Sequence, residues 1–509
     1  MTSIVVGANR SRPGEAKYGL FLLFGSALYL ALNLFSLRAV PFLLGGDQTY
    51  FWMRAMRMLD GQRIYQDFLQ YTPPGTDLVY LLLFRLFGLR LWVTNVVVLA
   101  LGLAFVWLVY SISRKILPLG YAVLASALFL VSIYGNAINS THHWFGVLAV
   151  LAAIRVVFRG RTSMKLGLAG ALLGMASFFS LYHGAAALLA MIIFLAWARI
   201  RAEDGGKSLG SYLFLLLFVY LLTLGTLNAP YIASIGIQRL WYFQVTYVHR
   251  FAIHPQLGFP LGLPNRITVR TLPSLAQYLI EYLLLPTSVI VALYLCWKRR
   301  HSLSSIEPVA LVALVALLLL SEVAISVSWL RLFAVSAPAV IVLVWVVHQS
   351  PTLRKAASSA LWGWILVQGG RQTFLRQRAQ QVTLTLPAGT VATSTQSAAR
   401  LNLIMRHLKA GDTVFHALWP GMYLPFHVHN PMYFETVCLD DMPRTDDIRF
   451  AIRQLDDQRV PYVFLAATTN PTAPEYCNDR LGPLRDYLHA AYLPIENFPD
   501  GDILWRRRD

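Results

Sequence analysis

An aspartate stands just past the first long apolar run. Asp47 follows Gly45 and Gly46 and precedes Gln48, Thr49 and Tyr50. A carboxylate near a hydrocarbon boundary is costly unless it is used or paired. Such a group can act as general base towards a hydroxyl or amine. It can ligate a divalent cation that neutralises a phosphate leaving group, or simply cap the helix that follows. The stretch Gly45–Gly75 is polar, aromatic and rich in turn formers. Within it, Tyr50–Leu59 has helical spacing, with Trp52, Ala55, Met56 and Leu59 on one side and Arg54 and Arg57 on another. That is the pattern of an amphipathic helix lying in a membrane interface. Tyr65, Asp67 and the turn Tyr71-Thr72-Pro73-Pro74-Gly75 follow.

Arg54, Arg57, Arg250 and Arg331 are candidate phosphate partners, because a guanidinium offers planar, bidentate recognition. The plainer reading of Arg54 and Arg57 is that they snorkel to lipid headgroups. Together, an acid, several arginines and a membrane suit a lipid-linked sugar phosphate. Its tail needs the bilayer, its phosphate needs cations and its sugar needs an aqueous cleft. His142 and His143 are adjacent, which alone is weak evidence for a metal site. His183, His249 and Glu322 are further polar residues at the same loop edges.

The elements that must position these groups are membrane helices. The chain has 509 residues, 56% hydrophobic and only 13% charged, with mean hydropathy +0.53. Soluble domains carry about 25% charged residues. The net charge of +18 is the excess of Lys and Arg expected of cytoplasmic loops. No basic stripe is interleaved with aromatics, so nucleic acid is not an expected partner. Apolar runs fall near residues 18–42, 91–113, 118–135, 143–158, 165–181, 184–200, 209–233, 278–297, 305–322, 331–348 and 355–370. That makes about 11 spans. Thr76–Leu89 contains Arg85 and is short for a span; runs of about 10–14 residues are more often interfacial. Reading it as interfacial places the N-terminal basics and every later basic cluster on one side, as the positive-inside rule asks. The N-terminus is then cytoplasmic, and the segment after residue 370 is extracytoplasmic.

From about Gln380 the pattern changes. VTLTL and PYVFLA read as strands, and QSAARLNLIMRHLKAGD and TDDIRFAIRQLDDQ as amphipathic helices, the first ended by Gly411. The expected architecture is a polytopic α-helical membrane domain over residues 1–370 and an extracytoplasmic α/β domain, with a mainly parallel sheet, over 371–509. Cys438 and Cys477 fall in the second region and Cys296 in an apolar span, with no metal-type spacing. Unpaired thiols are expected.

The residues Asp47, Met58-Leu59, Gly61, Tyr65, Asp67-Phe68, Pro73-Pro74 and Phe87-Gly88 resemble the first outer loop of GT-C superfamily glycosyltransferases. The branch is the one related to aminoarabinose and protein-O-mannosyl transferases. The resemblance implies an enzyme of the inner (plasma) membrane that moves a sugar from a polyprenyl-phosphate donor to a lipid, glycan or protein acceptor on the outer face. It implies Asp47 as catalytic base. Arg54, Arg57, Tyr65, Asp67, Tyr71, His142, His143, Arg250 and Arg331 are the substrate-binding candidates. Members often carry a second acid before the fourth span; here Asn139-Ser140-Thr141-His142-His143 has none. Some carry a Lys before the two prolines; here it is Thr72. The resemblance therefore makes no cofactor certain, and a divalent cation is left as an option. The competing readings are a transporter or flippase of lipid-linked sugars and a polysaccharide polymerase or ligase. No internal repeat supports the former.

Overall fold

The computed structural model describes residues 15–201, 209–248, 268, 271–298, 303–324, 327–352, 354–437, 445–465, 481–499 and 501–508. Its helices are α1 (Glu15–Leu34), α2 (Gln48–Leu59), α3 (Gly75–Phe87), α4 (Leu91–Ser113), α5 (Leu119–Leu128), α6 (His142–Val157), α7 (Ser163–Phe179), α8 (Leu181–Arg201), α9 (Leu209–Ile235) and α10 (Ile237–Trp241). There follow α11 (Leu272–Leu279), α12 (Leu285–Lys298), α13 (Leu303–Val323), α14 (Trp329–Val335), α15 (Ala337–Gln349) and α16 (Arg354–Ala379). Wider π turns interrupt or extend the helices at Phe129–Ile133, Tyr242–Tyr247 and Ile280–Leu284.

Among the described residues, seven helical stretches are long and apolar enough to cross a membrane, or eight if α14 and α15, bent by 60°, form one broken span. The sequence reading also counted α6, α7 and α16, which accounts for its larger number. Helices α6 and α7 have 16 and 17 residues, short of the roughly 20 that a hydrocarbon core takes. Helix α16 runs nine residues past the expected end of its span, and with Arg354, Lys355, Gln368 and Arg371 it is too polar. The first span also stops early, at Leu34 rather than 42, because Phe35 pairs with Pro41 across a tight loop that puts Ala39 at φ 59°. Helix α3, with 13 residues, is not among the candidate spans.

The chain divides into two compact units. The first comprises Met1–Asn33, Val98–Asn228 and Phe259–Leu375. Its helices approach closely where side chains are small. A Cβ on Gly170 would lie 2.6 Å from the Leu216 carbonyl, and one on Gly174 2.7 Å from that of Tyr220. This is the small-residue contact that lets helix backbones touch in lipid. The same unit holds a buried polar chain. Ser336 donates to Glu281 at 2.8 Å and Gln277 to Glu281 at 3.2 Å. Asn136 donates to Gln277 at 2.9 Å and Gln372 to Asn136 at 2.7 Å. Glu281 is fully buried and lies well inside the stretch Leu272–Lys298, deeper than the span beginning at 278 implied.

The second unit comprises Leu34–Val97, Ala229–Gly258 and Arg376–Asp509. Strands β1 (Val382–Leu386) and β2 (Gly389–Thr393) form a hairpin, followed by α17 (Thr395–His407). A four-stranded sheet then combines β3 (Val414–His416), β4 (Tyr462–Phe464), β5 (Tyr492–Asn497) and β6 (Ile503–Arg507) in the order β3-β4-β6-β5. Helices α18 (Tyr423–Phe426), α19 (Thr445–Asp457) and α20 (Gly482–Ala491) complete it. The sheet is not mainly parallel: only β3 and β4 pair that way, while β4–β6 and β6–β5 are antiparallel. The cause is local, because the chain after α20 returns through a hairpin instead of a crossover helix. The core of this unit mixes loop and C-terminal residues: Ile64, Tyr65 and Phe68 pack with Phe243, Phe415, Val463 and Trp505. Each such buried side chain contributes about 1.5–3 kcal/mol.

Candidate active site and its relatives

Helix α2 begins directly after Asp47, whose backbone is already helical (φ −54°, ψ −22°) and whose side chain makes no capping bond. The acid is exposed while Gln48, Thr49 and Tyr50 beyond it are buried. The Asp47 carboxylate reaches Tyr50 electrostatically, and burial, then the Tyr71 hydroxyl, push the Tyr50 hydroxyl well above its ordinary pKa. Tyr50 meets Trp419 edge-on at 5.6 Å. Trp419 keeps 38% of its surface exposed.

The two arginines of α2 do not face lipid headgroups. Arg54 is 1% exposed. It donates from Nε and, at 2.6 Å, from Nη2 to the two carboxylate oxygens of Glu435, a bidentate pair. Its Nη1 donates to Thr72 at 3.2 Å and lies 3.8 Å from Asp77. The guanidinium also sits 5.6 Å from the Tyr71 ring centre. Burial pulls the Arg54 pKa down, but Glu435 and Asp77 outweigh it and hold the group charged. Burial raises Asp77 to about 8 against the pull of Arg54. One cation thus faces two acids; Glu435 takes the ion pair and Asp77 keeps its proton at neutral pH.

Arg57 is 4% exposed. It donates to Gln62 at 2.6 Å and to the Asp67 carbonyl at 3.3 Å, and stacks 4.5 Å above Phe68. Burial lowers its pKa to about 10. Asp67 accepts from the Arg63 backbone at 2.6 Å. Arg57 and Asp67 line a cavity of about 700 Å³ with Asp60, Gln62, His429 and Gln454. Tyr65 is fully buried at φ 69°, a left-handed conformation unusual for an aromatic residue. It accepts from Gln244 at 2.8 Å, and its ring stacks on Phe243 at 5.5 Å.

The remaining described candidates belong to the first unit. His142 and His143 open α6, their rings 3.9 Å apart. Arg331 lies in the first turn of α14 and bears electrostatically on His143. His143 lies 2.9 Å from His183, which lies 2.8 Å from Glu322. Arg250, His249, Cys438 and Cys477 lie outside the described residues. Among the described residues, no three His, Cys, Asp or Glu side chains converge to hold a metal ion.

Two residues matter more than their sequence context suggested. Glu435 sits in a stretch, PMYFETV, with no periodic signal, and its partner is 381 residues away. Trp419 follows a three-residue strand, and only its exposure beside Tyr50 singles it out.

Residues 71–223 match the family model described as dolichyl-phosphate-mannose-protein mannosyltransferase. No curated protein matches the chain. Among solved structures, ArnT from Cupriavidus metallidurans bound to undecaprenyl phosphate superposes with a TM-score of 0.61 at 11% identity, over 96% of this chain and 98% of that one. Its apo form gives 0.58 at 12%, with the same coverage. The archaeal oligosaccharyltransferase AglB from Archaeoglobus fulgidus, in complex with an inhibitory peptide and a dolichol-phosphate, gives 0.51 at 13%, over 98% and 75%. At such identities the likeness is one of architecture: the chain is a polytopic membrane protein whose fold resembles that of ArnT.

Proposed function

We propose that this chain is an integral membrane glycosyltransferase. It moves a sugar from a polyprenyl-phosphate donor to an acceptor on the extracytoplasmic face, with Asp47 as general base. The observation that carries the reading is the state of Asp47. It is an exposed acid at the start of α2, on a fold whose solved examples include complexes with undecaprenyl phosphate and dolichol-phosphate. The matched mannosyltransferase segment supports a sugar-phosphate lipid as donor.

In this reading the acceptor hydroxyl gives its proton to Asp47 as its oxygen attacks the anomeric carbon. The bond from that carbon to the phosphate oxygen breaks, and the lipid phosphate leaves. Arg54 acts indirectly: its donors go to Glu435 and Thr72, so it holds the segment around Asp47 in place. Arg57 donates to Gln62 and the Asp67 carbonyl and, among the described residues, keeps Nη1 without a partner at the wall of the cavity. The distribution of basic loops supports the extracytoplasmic side and the cytoplasmic N-terminus, and the resemblance in the first outer loop supports a plasma-membrane location.

The test is release of lipid phosphate from a panel of polyprenyl-phosphate sugars by the purified protein, with and without crude lipid, glycan and peptide acceptors. Asp47→Asn should abolish transfer and leave the unfolding profile unchanged. Wild-type turnover by that variant would remove Asp47 from the chemistry.

A further inference from the structure

Three helices of the first unit contribute one side chain each to a continuous hydrogen-bonded line. His143 comes from the first turn of α6, His183 from the first turn of α8 and Glu322 from the last turn of α13. Glu322 Oε2 lies 2.8 Å from His183 Nδ1, and His183 Nε2 lies 2.9 Å from His143 Nδ1. His183 is fully buried, His143 is 7% exposed and Glu322 20% exposed.

The carboxylate end fixes the tautomers. An ionised Glu322 only accepts, so His183 donates from Nδ1 and its Nε2 is an acceptor. His143 then donates from Nδ1, which leaves its Nε2 with the lone pair. Among the described residues, His143 makes its hydrogen bond through Nδ1 alone. The other titratable or charged groups that bear on the line are His142 on α6, Arg331 on α14 and Tyr182 on α8.

We propose that Glu322, His183 and His143 are a proton relay whose working end is His143 Nε2, serving a phosphate ester held there with Arg331. This rests on the reading of the chain as a polyprenyl-phosphate-dependent transferase. A proton arriving at His143 Nε2 forms one N–H bond there. The Nδ1–H bond of His143 breaks, and its proton forms a new N–H bond at His183 Nε2. The positive charge therefore settles on His183, against the Glu322 carboxylate. Without the relay it would stay on His143, beside His142 and Arg331, where like charge and burial oppose it. Two rings in series move the charge to the one place in the cluster that carries an opposite sign.

A phosphate monoester has its second pKa near 6 and an imidazole near 6.5, so the two exchange a proton close to neutral pH. A P–OH proton passes to His143 Nε2 and leaves a dianion for Arg331. The reverse transfer protonates a phosphate oxygen freed when a sugar departs, and solvent restores the relay.

The test is calorimetric titration of the full chain with farnesyl phosphate near pH 6.5, in buffers of different ionisation enthalpy, which counts protons moved per ligand bound. Wild type should transfer a large fraction of one proton per phosphate bound. Glu322→Gln should lose most of that transfer while still binding, and Glu322→Asp should recover part of it. An unchanged proton count in Glu322→Gln would overturn the relay and leave the transferase reading untouched. Absence of binding to wild type would overturn the phosphate assignment. The relay itself is then decided by ¹⁵N spectra of histidine-labelled protein. Those should show Nδ1–H on both rings; Nε2–H on either ring overturns it. Loss of Asp47→Asn transfer alone bears on the catalytic base and not on this line.

Discussion

Arg54 shows how little a charge's type says about its use. On a helical wheel it belongs to a polar face, yet it is 1% exposed and bound at both Nε and Nη2 by Glu435. Breaking such a buried pair leaves an uncompensated charge, which costs about 3–5 kcal/mol. Glu435→Ala should therefore lower the midpoint of unfolding sharply in detergent, whereas Arg54→Met with Glu435→Leu should recover much of the loss. Equal destabilisation by single and double variants would mean that packing, not charge, is what the pair supplies. Asp77 gives a pH signature. Burial raises its folded pKa to about 8, from 3.8 for the free side chain, so between those values the folded chain holds a proton that the unfolded chain has lost. Stability from this group is full below about pH 4 and falls as pH rises towards 8. Asp77→Asn keeps a group of the same shape that Gln70 can still meet. The variant should flatten the decline of unfolding midpoint with pH across that window, and a slope identical to wild type would show that Asp77 is ionised in the folded state.

Helices α7 and α9 meet through Gly170 and Gly174, and this contact belongs to the element scale. Gly170→Leu would set a Cβ 2.6 Å from the Leu216 carbonyl, backbone that cannot rotate away, and overpacking of this kind costs about 1–3 kcal/mol. Gly225→Leu, also on α9 but with no atom within 4 Å of the added Cβ, is the control. Thermal unfolding in detergent should fall for the first and hold for the second; equal midpoints would deny the close approach. Much at this scale was legible in sequence. Apolar length gave most of the spans, the spacing of Tyr50–Leu59 gave α2, and VTLTL and TDDIRFAIRQLDDQ became β1 and α19. What failed did so for a physical reason. Local periodicity reports whether an element has an apolar face, not what covers it, so α2 was expected to face the membrane interface and instead buries Phe51, Trp52, Arg54 and Arg57. The antiparallel return of β6 was overlooked, although Pro499-Asp500-Gly501 is a turn signal that marks a hairpin and not a crossover. The relay was visible only as scattered polar letters, because Glu322 and His183 are 139 residues apart.

At the scale of the whole molecule, the segment carrying Asp47 is not a loop hung from two membrane helices. Residues 34–97 belong to the same compact unit as residues 376–509, and Tyr65 and Phe68 share one apolar core with Phe415, Val463 and Trp505. Such a core opens as a unit, because removing one member exposes surface on all the others. Trp505 is 1% exposed and donates its indole N–H to Leu465 at 2.7 Å. Trp505→Ala removes a large side chain from the end of the chain, at a cost of about 3–5 kcal/mol. Hydrogen exchange of the full-length protein should then quicken in α2 and residues 60–69 as well as in the C-terminal sheet, although the substitution is more than 430 positions away in sequence. Exchange in α6 and α7, which belong to the other unit, should keep its wild-type rate. Faster exchange confined to β3–β6 would mean that the C-terminal sheet folds independently of the segment carrying Asp47. Coupled exchange would give the C-terminal segment a stated job: by supplying Glu435 to Arg54 and an apolar bed to Tyr65 and Phe68, it holds rigid the helix at whose start Asp47 stands, and the proposed glycosyl transfer, which needs its base placed to within a fraction of an ångström, would then fail in Trp505→Ala through turnover before it failed through folding.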